Sequence, residues 1–468
     1  MANPAAPQQV RFTHDQLVAK LEASNKAGKA RDVLAFADAN PKALDSSPAI
    51  ASAVADAAVA VGDLARGEAL HRKVLELAPG HSSTLVNLAM LLIKRDAFDE
   101  AEPLLTALLG RDPTQVEARY NLAVIHLRRG DFADAEAQAR KVLELRPAHE
   151  RAPFLLGLSL LTQGHYAEGW PGFEARVLPV NAGGNVYTPS LPYPQWRGES
   201  LAGKSIVVWP EQGLGDEIMM ARYAAVLKAM GARVSWLCRP VMAPLLRGVE
   251  GIDNIYIAAG QLDLPRHDYW VLPMSLPMAC GTTLETIPSR DPYIRLPDPL
   301  FRFDDDLLAP AKLRVGLVWK GGVQLANDRN RSLPDLATLR TLWRVPDVEF
   351  VSLQKGQGED EGARPPADQP ITDLAPTLTD LAQTAAAIKD LDLVISVDTA
   401  VAHLAGAMGK PCFVMLPALG LDWRWGVERS DSPWYPSLTL YRQTTPGDWE
   451  PVVEQMTADL ERLAAAKR

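Results

Sequence analysis

In the first third of the chain, apolar and small positions recur as blocks that repeat every 34 residues, each broken by a short turn. Pro79, Pro113 and Pro147 close the segments LELAP, LLGRDP and LELRP. Gly62, Gly130 and Gly164 keep the same period, with Asp96 at the intervening position. Phe98, Phe132 and Tyr166 follow their turns by two residues, and Asn87-Leu88-Ala89 returns as Asn121-Leu122-Ala123. The pattern predicts helix-turn-helix units. Ala89 and Ala123 let paired helices approach closely, and the Gly position supplies a left-handed turn. Proline opens the following unit, where a missing N–H costs little. Units are expected at 50–83, 84–117 and 118–151, with irregular ends at 16–49 and 152–178.

The pattern breaks at 179–199. The stretch NAGGNVYTPSLPYPQWRGE is rich in Gly, Pro and Asn, which reads as a linker, with Tyr193 and Trp196 pinning it to the next domain. Beyond it, short apolar runs alternate with helical stretches. Strands are predicted at Ser205–Trp209, in ARVSWLC, and at Tyr269–Leu272, Arg314–Trp319, Glu349–Leu353, Leu393–Val397 and Cys412–Leu416. The order is that of two doubly wound α/β halves, 200–300 and 311–468, with a cleft between them. The expected fold class is therefore an α-helical solenoid over 14–178 followed by an α/β module of two Rossmann-like halves.

A chain of 468 residues suits two or three domains, and 47% hydrophobic content supplies ample core. No apolar run reaches the roughly 18–20 residues of a membrane span. No basic and apolar leader stands at the N-terminus, and a cytoplasmic protein is expected. The net charge of −9 argues against nucleic acid as main partner. Cys238, Cys280 and Cys412 are far apart among apolar residues and read as reduced, structural thiols.

Three constellations fall at strand ends, where open parallel sheets bind ligands. In Gly213-Leu214-Gly215-Asp216-Glu217 the glycines permit a tight turn and close substrate approach. Asp216 at the helix start is either a cap or a general base for an acceptor hydroxyl. In Val318-Trp319-Lys320-Gly321-Gly322, followed by Arg331-Ser332-Leu333, Lys320 suits a diphosphate oxygen and Arg331 assists. Gln354, after the next strand, is a candidate for base or ribose. In DLVISVDTAVAHLAGAMGKP a strand ends at Asp398-Thr399 and a small-residue helix starts at once. Free N–H groups at Thr399 and Ala400 make an anion site, with His403 one turn in. Asp398 either caps the helix or organises the site. Trp423-Arg424-Trp425, Trp434, Tyr435 and Trp449 either stack on a ligand or pack the C-terminal segment back onto the first half. No Asp-x-Asp element lies at a strand end: the acidic run at 304–306 sits between the halves, and Asp390-Leu391-Asp392 precedes its strand. No metal and no cofactor are expected.

The repeats resemble tetratricopeptide arrays, whose concave face takes an extended partner. Asn87 and Asn121 either face such a peptide or stabilise neighbouring helices. The three later motifs together resemble the heptosyltransferase-like glycosyltransferases (family 9) of GT-B architecture, over most of 200–440. The resemblance implies that Asp216 is the catalytic base, that Lys320 stabilises the nucleotide phosphates, and that Asp398, Thr399, Ala400 and His403 bind the donor; the loops themselves add Gly213, Gly215, Arg331 and Gln354 as donor-binding candidates. The whole chain is similar to bacterial tetratricopeptide-glycosyltransferase fusions, including the flagellin-modifying type, and in outline to O-linked N-acetylglucosamine transferases. It implies an inverting, metal-independent transfer from a nucleotide-sugar to a hydroxyl of a protein, a flagellin-like one included, recruited by the repeats, of which Asn87 and Asn121 are the acceptor-binding candidates read from the repeat itself. A glycan acceptor and a non-catalytic scaffold are the alternatives.

Overall fold

The computed structural model describes residues 12–182, 186–211, 213–260, 262–288, 292–296, 313–324 and 327–467. The acidic run at 304–306 and part of the expected linker, 183–185, lie outside them. Packing divides the chain into two units, Met1–His126 with Ala137–Ala148, and Leu127–Glu136 with His149–Arg468.

The helices of the first third are α1 (His14–Lys26), α2 (Ala30–Ala39), α3 (Pro41–Ser46), α4 (Pro48–Ala60), α5 (Leu64–Leu77), α6 (Ser82–Lys94), α7 (Phe98–Arg111), α8 (Val116–Arg129), α9 (Phe132–Leu145), α10 (Ala152–Thr162) and α11 (Tyr166–Phe173). The predicted turn positions carry the left-handed backbone: φ is 88° at Gly62, 63° at Asp96, 94° at Gly130 and 85° at Gly164. Gly28, one period earlier, has φ 73° and marks a pair that the sequence showed only as an irregular end. Asp96 adopts the conformation that glycine holds elsewhere, one that Asp tolerates better than most side chains. Ala89, Ala101, Ala123 and Ala135 are fully buried between helices, as their size predicted.

The last pair, α10 and α11, belongs by packing to the second unit, although the repeat pattern runs on to 178. The two helices cross at glycines: a Cβ on Gly157 would stand 2.4 Å from the Phe173 nitrogen, and one on Gly172 2.4 Å from the Pro153 oxygen. Tyr166, Trp170 and Phe173 enter the core of the α/β module. The Trp170 indole N–H donates to the Thr282 carbonyl at 2.7 Å, and that of Trp434 to the Tyr166 hydroxyl at 2.8 Å.

After a final turn, α12 (Pro179–Ala182), the linker runs alongside the first sheet. The Trp196 N–H donates to the Trp270 carbonyl at 2.7 Å, and Tyr193 and Trp196 are buried as expected. The first half contains β1 (Ser205–Val208), α13 (Leu214–Met220), α14 (Tyr223–Ala229), β2 (Arg233–Cys238), α15 (Ala243–Leu246), β3 (Asn254–Ile257), β4 (Tyr269–Val271) and α16 (Leu276–Ala279). Its strands pair in parallel in the order β3-β2-β1-β4, with Ile206 beside Val234 and Val207 beside Trp270.

The second half contains β5 (Leu313–Val318), α17 (Asp328–Arg331), β6 (Val348–Ser352), α18 (Glu359–Ala363), β7 (Thr372–Asp373), α19 (Leu381–Asp390), β8 (Leu393–Val397), α20 (Ala400–Ala407), β9 (Cys412–Leu416), β10 (Leu438–Arg442) and α21 (Glu450–Lys467). Its parallel order is β10-β9-β8-β5-β6-β7. The predicted strands are all present; β3, β7 and β10 are additions. Trp449 and α21 pack with Leu313, Val315, Phe413 and Met415 in the second half's own core. This corrects, for Trp449 alone, the alternative that the C-terminal aromatics pack onto the first half. Trp423, Trp434 and Tyr435 make that crossing instead, sharing a core with Trp196, Trp236 and Met274. Cys238 and Cys412 are buried free thiols and Cys280 is half-buried. Among the described residues no helix is long and apolar enough to cross a membrane.

Candidate functional site

Each sheet reverses its direction of growth once. In the first, the chain winds outward from β1 to β2 and β3, then returns to place β4 on the other side of β1. In the second, β6 and β7 lie to one side of β5, and β8, β9 and β10 to the other. At such a reversal the loops leaving two adjacent strands part in opposite directions and open a crevice at their carboxyl ends. The Gly213–Asp216 loop follows β1, and the turn Pro273–Ser275 follows β4. Lys320 follows β5, and Asp398 and Thr399 follow β8. The predicted site residues therefore occupy both reversal points.

Asp216 lies in the first turn of α13. Its Oδ2 accepts the Gly213 N–H at 2.8 Å, which satisfies a donor that the helix leaves open. Its Oδ1 accepts from Arg424 Nη2, across the boundary between the halves. Asp216 thus caps its helix through one oxygen and reaches the second half through the other. Gly213 has an ordinary extended backbone, φ −71° and ψ 165°. Gly215 is required by proximity, since a Cβ there would stand 2.7 Å from His403 Cδ2.

Thr399 is the N-cap residue of α20, and Ala400 its first residue. The Thr399 hydroxyl bonds with the Ser396 hydroxyl at 3.0 Å. His403 is buried; its Nδ1 lies 3.0 Å from the Tyr435 hydroxyl and its Nε2 4.0 Å from Asp398 Oδ1. Its ring lies 5.2 Å from that of Trp425. Burial, helped by Arg424, Arg222 and Arg331, holds its pKa well below the usual histidine value, so the ring is neutral near pH 7. Burial, with Asp422 nearby, raises the Asp398 carboxyl to about 6. Arg222 is fully buried and stacks on Tyr293, Trp434 and Tyr435 at 4.8–5.1 Å. It donates to the Trp434 carbonyl at 2.9 Å.

Lys320 is turned to Glu361, with Nζ 2.5 Å from Oε1. The other oxygen of Glu361 accepts the Trp319 indole N–H at 3.0 Å and the Leu336 N–H at 2.7 Å. Gln354, expected to contact base or ribose, is instead a buried clasp. Its Oε1 accepts the N–H groups of Trp319 and Lys320 at 2.9 and 3.0 Å. Its Nε2 donates to the carbonyls of Lys320 and Gln357 at 3.0 and 2.7 Å. The amide ties the β5 loop to the β6 loop and leaves no group for a ligand. Arg331 lies against Gly321, where a Cβ would stand 2.7 Å from Nη2, and its Nε is 3.4 Å from Asp328 Oδ1.

The amides of the repeat unit are also committed locally. Asn87 Nδ2 donates to Asp56 Oδ1 at 3.0 Å, and Asn121 Nδ2 to the Val86 carbonyl at 3.4 Å. Each joins its helix to an earlier one, the second of the two roles that the sequence offered for these residues. Among the described residues no group of three or more His, Cys, Asp or Glu is placed to hold a metal ion.

Sequence reasoning missed two arginines. Arg424 drew notice only as part of an aromatic run, yet its Nη1 pairs with Asp422 at 2.6 Å and its Nη2 with Asp216. Burial opposes its charge, but the two carboxylates more than offset that. Arg176, just after α11, pairs through Nε with Glu211 at 2.5 Å, and its Nη2 donates to Ser275 Oγ at 2.8 Å. It ties the last helical pair to the loops after β1 and β4. A charged residue between two tryptophans, and one just after an aromatic-rich helix, are the only signals in the sequence.

Residues 52–116, 86–150 and 120–169 match the tetratricopeptide repeat model. Residues 350–415 match that of glycosyltransferase family 9 (heptosyltransferase). The second segment holds Gln354, Asp398, Thr399, Ala400 and His403, while Gly213, Gly215, Asp216, Lys320, Arg331 and Arg424 fall outside it. A curated relative, Protein FlbA of Caulobacter vibrioides, is 29% identical over 326 residues, covering 64% of this chain and 53% of FlbA. The chain thus spans about half the length of the curated relative it matches. Among solved structures, MamA 41-end from Desulfovibrio magneticus RS-1 is 18% identical, with 38% of this chain and 99% of that one covered and a TM-score of 0.31. YrrB, a TPR protein with an unusual peptide-binding site, is 16% identical, with 34% and 82% covered and a TM-score of 0.30.

Proposed function

We infer that this chain, which carries tetratricopeptide repeats followed by a family 9 glycosyltransferase domain, moves a sugar from a nucleotide-sugar to a hydroxyl of a protein recruited by the repeats. The observation that carries the reading is the placement of Asp216 at the reversal point of one sheet and Thr399 at that of the other, with Arg424 of the second half bonded to Asp216.

In this reaction Asp216 takes the proton of the acceptor hydroxyl. The oxygen bonds to the anomeric carbon from the side opposite the diphosphate, so the configuration inverts. The sugar–phosphate bond breaks, and its electron pair leaves on the nucleoside diphosphate. The N–H groups that open α20 meet that charge, as does Lys320 once it turns from Glu361. Neutral His403 orients the start of α20 without adding a charge. Protein side chains suffice for each role, so turnover is independent of divalent ions.

The test is incubation of the full chain with UDP-, ADP-, GDP- and CMP-sugars and a candidate acceptor protein, with intact-mass analysis. A mass increment of one sugar that persists in chelator supports the reading. Donor breakdown with no protein modified overturns the protein acceptor, and chelator-sensitive turnover overturns metal independence. The heptosyltransferase description of the matched segment favours a glycan acceptor as the second reading, which mass analysis of added lipopolysaccharide core distinguishes.

A further inference from the structure

Neither the sequence motifs nor the matched family segment includes Arg424. Its side chain is 7% exposed and lies over the Trp423 ring at 4.8 Å. Nη1 is bound by Asp422, a neighbour on the same loop whose other oxygen accepts the Arg424 backbone N–H at 3.0 Å. That anchor travels with the arginine. Nη2 is bound by Asp216, 208 residues away in the other half. Nε is buried and has no hydrogen-bond acceptor among the described residues. An unmet donor in a buried cation calls for an explanation.

Both oxygens of Asp216 are engaged, one by the Gly213 N–H and one by Arg424. With both oxygens occupied, an acceptor hydroxyl can hydrogen-bond to Oδ1 only after Arg424 has left it. The neighbouring Trp425 ring rests near His403 on α20, so Arg424 stands beside the helix whose opening N–H groups suit an anion. A planar guanidinium with one free N–H and one exchangeable N–H pair fits phosphate oxygens in a fork.

We propose, resting on the glycosyltransferase reading above, that Arg424 is a ligand of the donor's diphosphate and that its exchange from Asp216 to phosphate frees the catalytic base. Asp422 is the pivot. Nε and Nη2 turn to phosphate oxygens while Nη1 stays on Asp422. Asp216 then accepts the acceptor hydroxyl's proton as the new sugar–oxygen bond forms, and Arg424 receives the charge that the broken sugar–phosphate bond leaves on the diphosphate. Donor binding and activation of the base become one event, which spares the donor from attack before the site is assembled.

The exchange makes Asp216 and diphosphate competitors for one cation, and this gives two variants opposite signs. Calorimetric titration of the full chain with UDP, ADP, GDP and CDP, and with the matching nucleosides, tests it. Asp216→Asn is expected to tighten the preferred diphosphate by about threefold to tenfold. Arg424→Gln is expected to weaken it by about tenfold or more. Nucleoside affinity stays within about twofold in both, since nucleosides carry no phosphate. If Arg424→Gln does not fold, Arg424→Lys and the Asp216→Asn arm still decide. A purely structural pin between the halves predicts that Asp216→Asn weakens or leaves unchanged the diphosphate, and that result overturns the proposal while leaving the glycosyltransferase reading intact. Failure of the unaltered chain to bind any diphosphate or nucleotide-sugar overturns both.

Discussion

Gly215 of the first half lies directly against the His403 ring of the second, so close that a methyl group on the glycine would stand 2.7 Å from Cδ2. His403 has little room to yield. Its Nδ1 is bonded to the Tyr435 hydroxyl and its ring packs near Trp425. Gly215→Ala should therefore destabilise the second unit by about 1–3 kcal/mol and lower donor affinity. Combining it with His403→Ala should restore part of the stability. Urea midpoints of the single and double variants measure this, and an additive double variant would refute the contact as the cause.

Asp216→Asn keeps an oxygen for the Gly213 N–H but cannot take up a proton. Turnover should fall by about 10²–10⁴-fold, with a lowered melting temperature because buried Arg424 loses one of its two carboxylates. Rate measurement at saturating donor checks it. Retention of full activity would remove Asp216 from the role of base.

Gln354→Leu has nearly the right volume and none of the polarity. It would leave the Trp319 and Lys320 N–H groups, now 2.9 and 3.0 Å from Oε1, without that acceptor. The expected loss is about 3 kcal/mol of stability, with donor affinity falling because the loop bearing Lys320 loosens. A variant as stable as the parent would show that the clasp is dispensable.

The repeat unit should be acid-sensitive through His71. This side chain is fully buried, and neither ring nitrogen has a hydrogen-bond partner among the described residues. Burial, with His81 nearby, lowers its pKa to about 4. Unfolded, the ring takes a proton below about 6.5; folded, it does not until about pH 4. Its contribution to stability is thus present above 6.5 and is lost as pH falls from there toward 4, on the order of 2 kcal/mol. His71→Leu should flatten the change in denaturation midpoint between pH 7 and pH 5. An unaltered pH dependence would assign the sensitivity elsewhere.

The period of 34 made the turn positions legible because a left-handed residue recurs at each: Gly62, Asp96, Gly130 and Gly164. The central strands were legible because both faces are buried and their residues read as continuous apolar runs, as in Leu393–Val397. Strand β3 escaped notice because it lies at a sheet edge and is half exposed, and β7 because it has only two residues. The carboxyl-end loops announced Asp216, Lys320 and Thr399, but not how their side chains are used. Gln354 looked like a ligand group and is a clasp, and the pairing of Lys320 with Glu361 joins residues on two separate loops. The pairing of Arg424 with Asp216 was hidden for the same reason. A contact spanning 208 residues leaves no local or periodic trace.

The capture of the last helical pair by the sheets has a consequence for modularity. By its spacing that pair is one more repeat, yet Tyr166, Trp170 and Phe173 belong to the same core as Trp423 and Trp434. Repeats upstream of Leu127 lie in the other unit and contribute no residue to that core, so they can be gained, lost or grafted without removing any of its side chains. A junction placed at 178, where the pattern in the sequence ends, would strip three aromatic rings and Arg176 from the α/β module. The terminal repeat is an adaptor: it keeps the rhythm of the array but packs with the sheets.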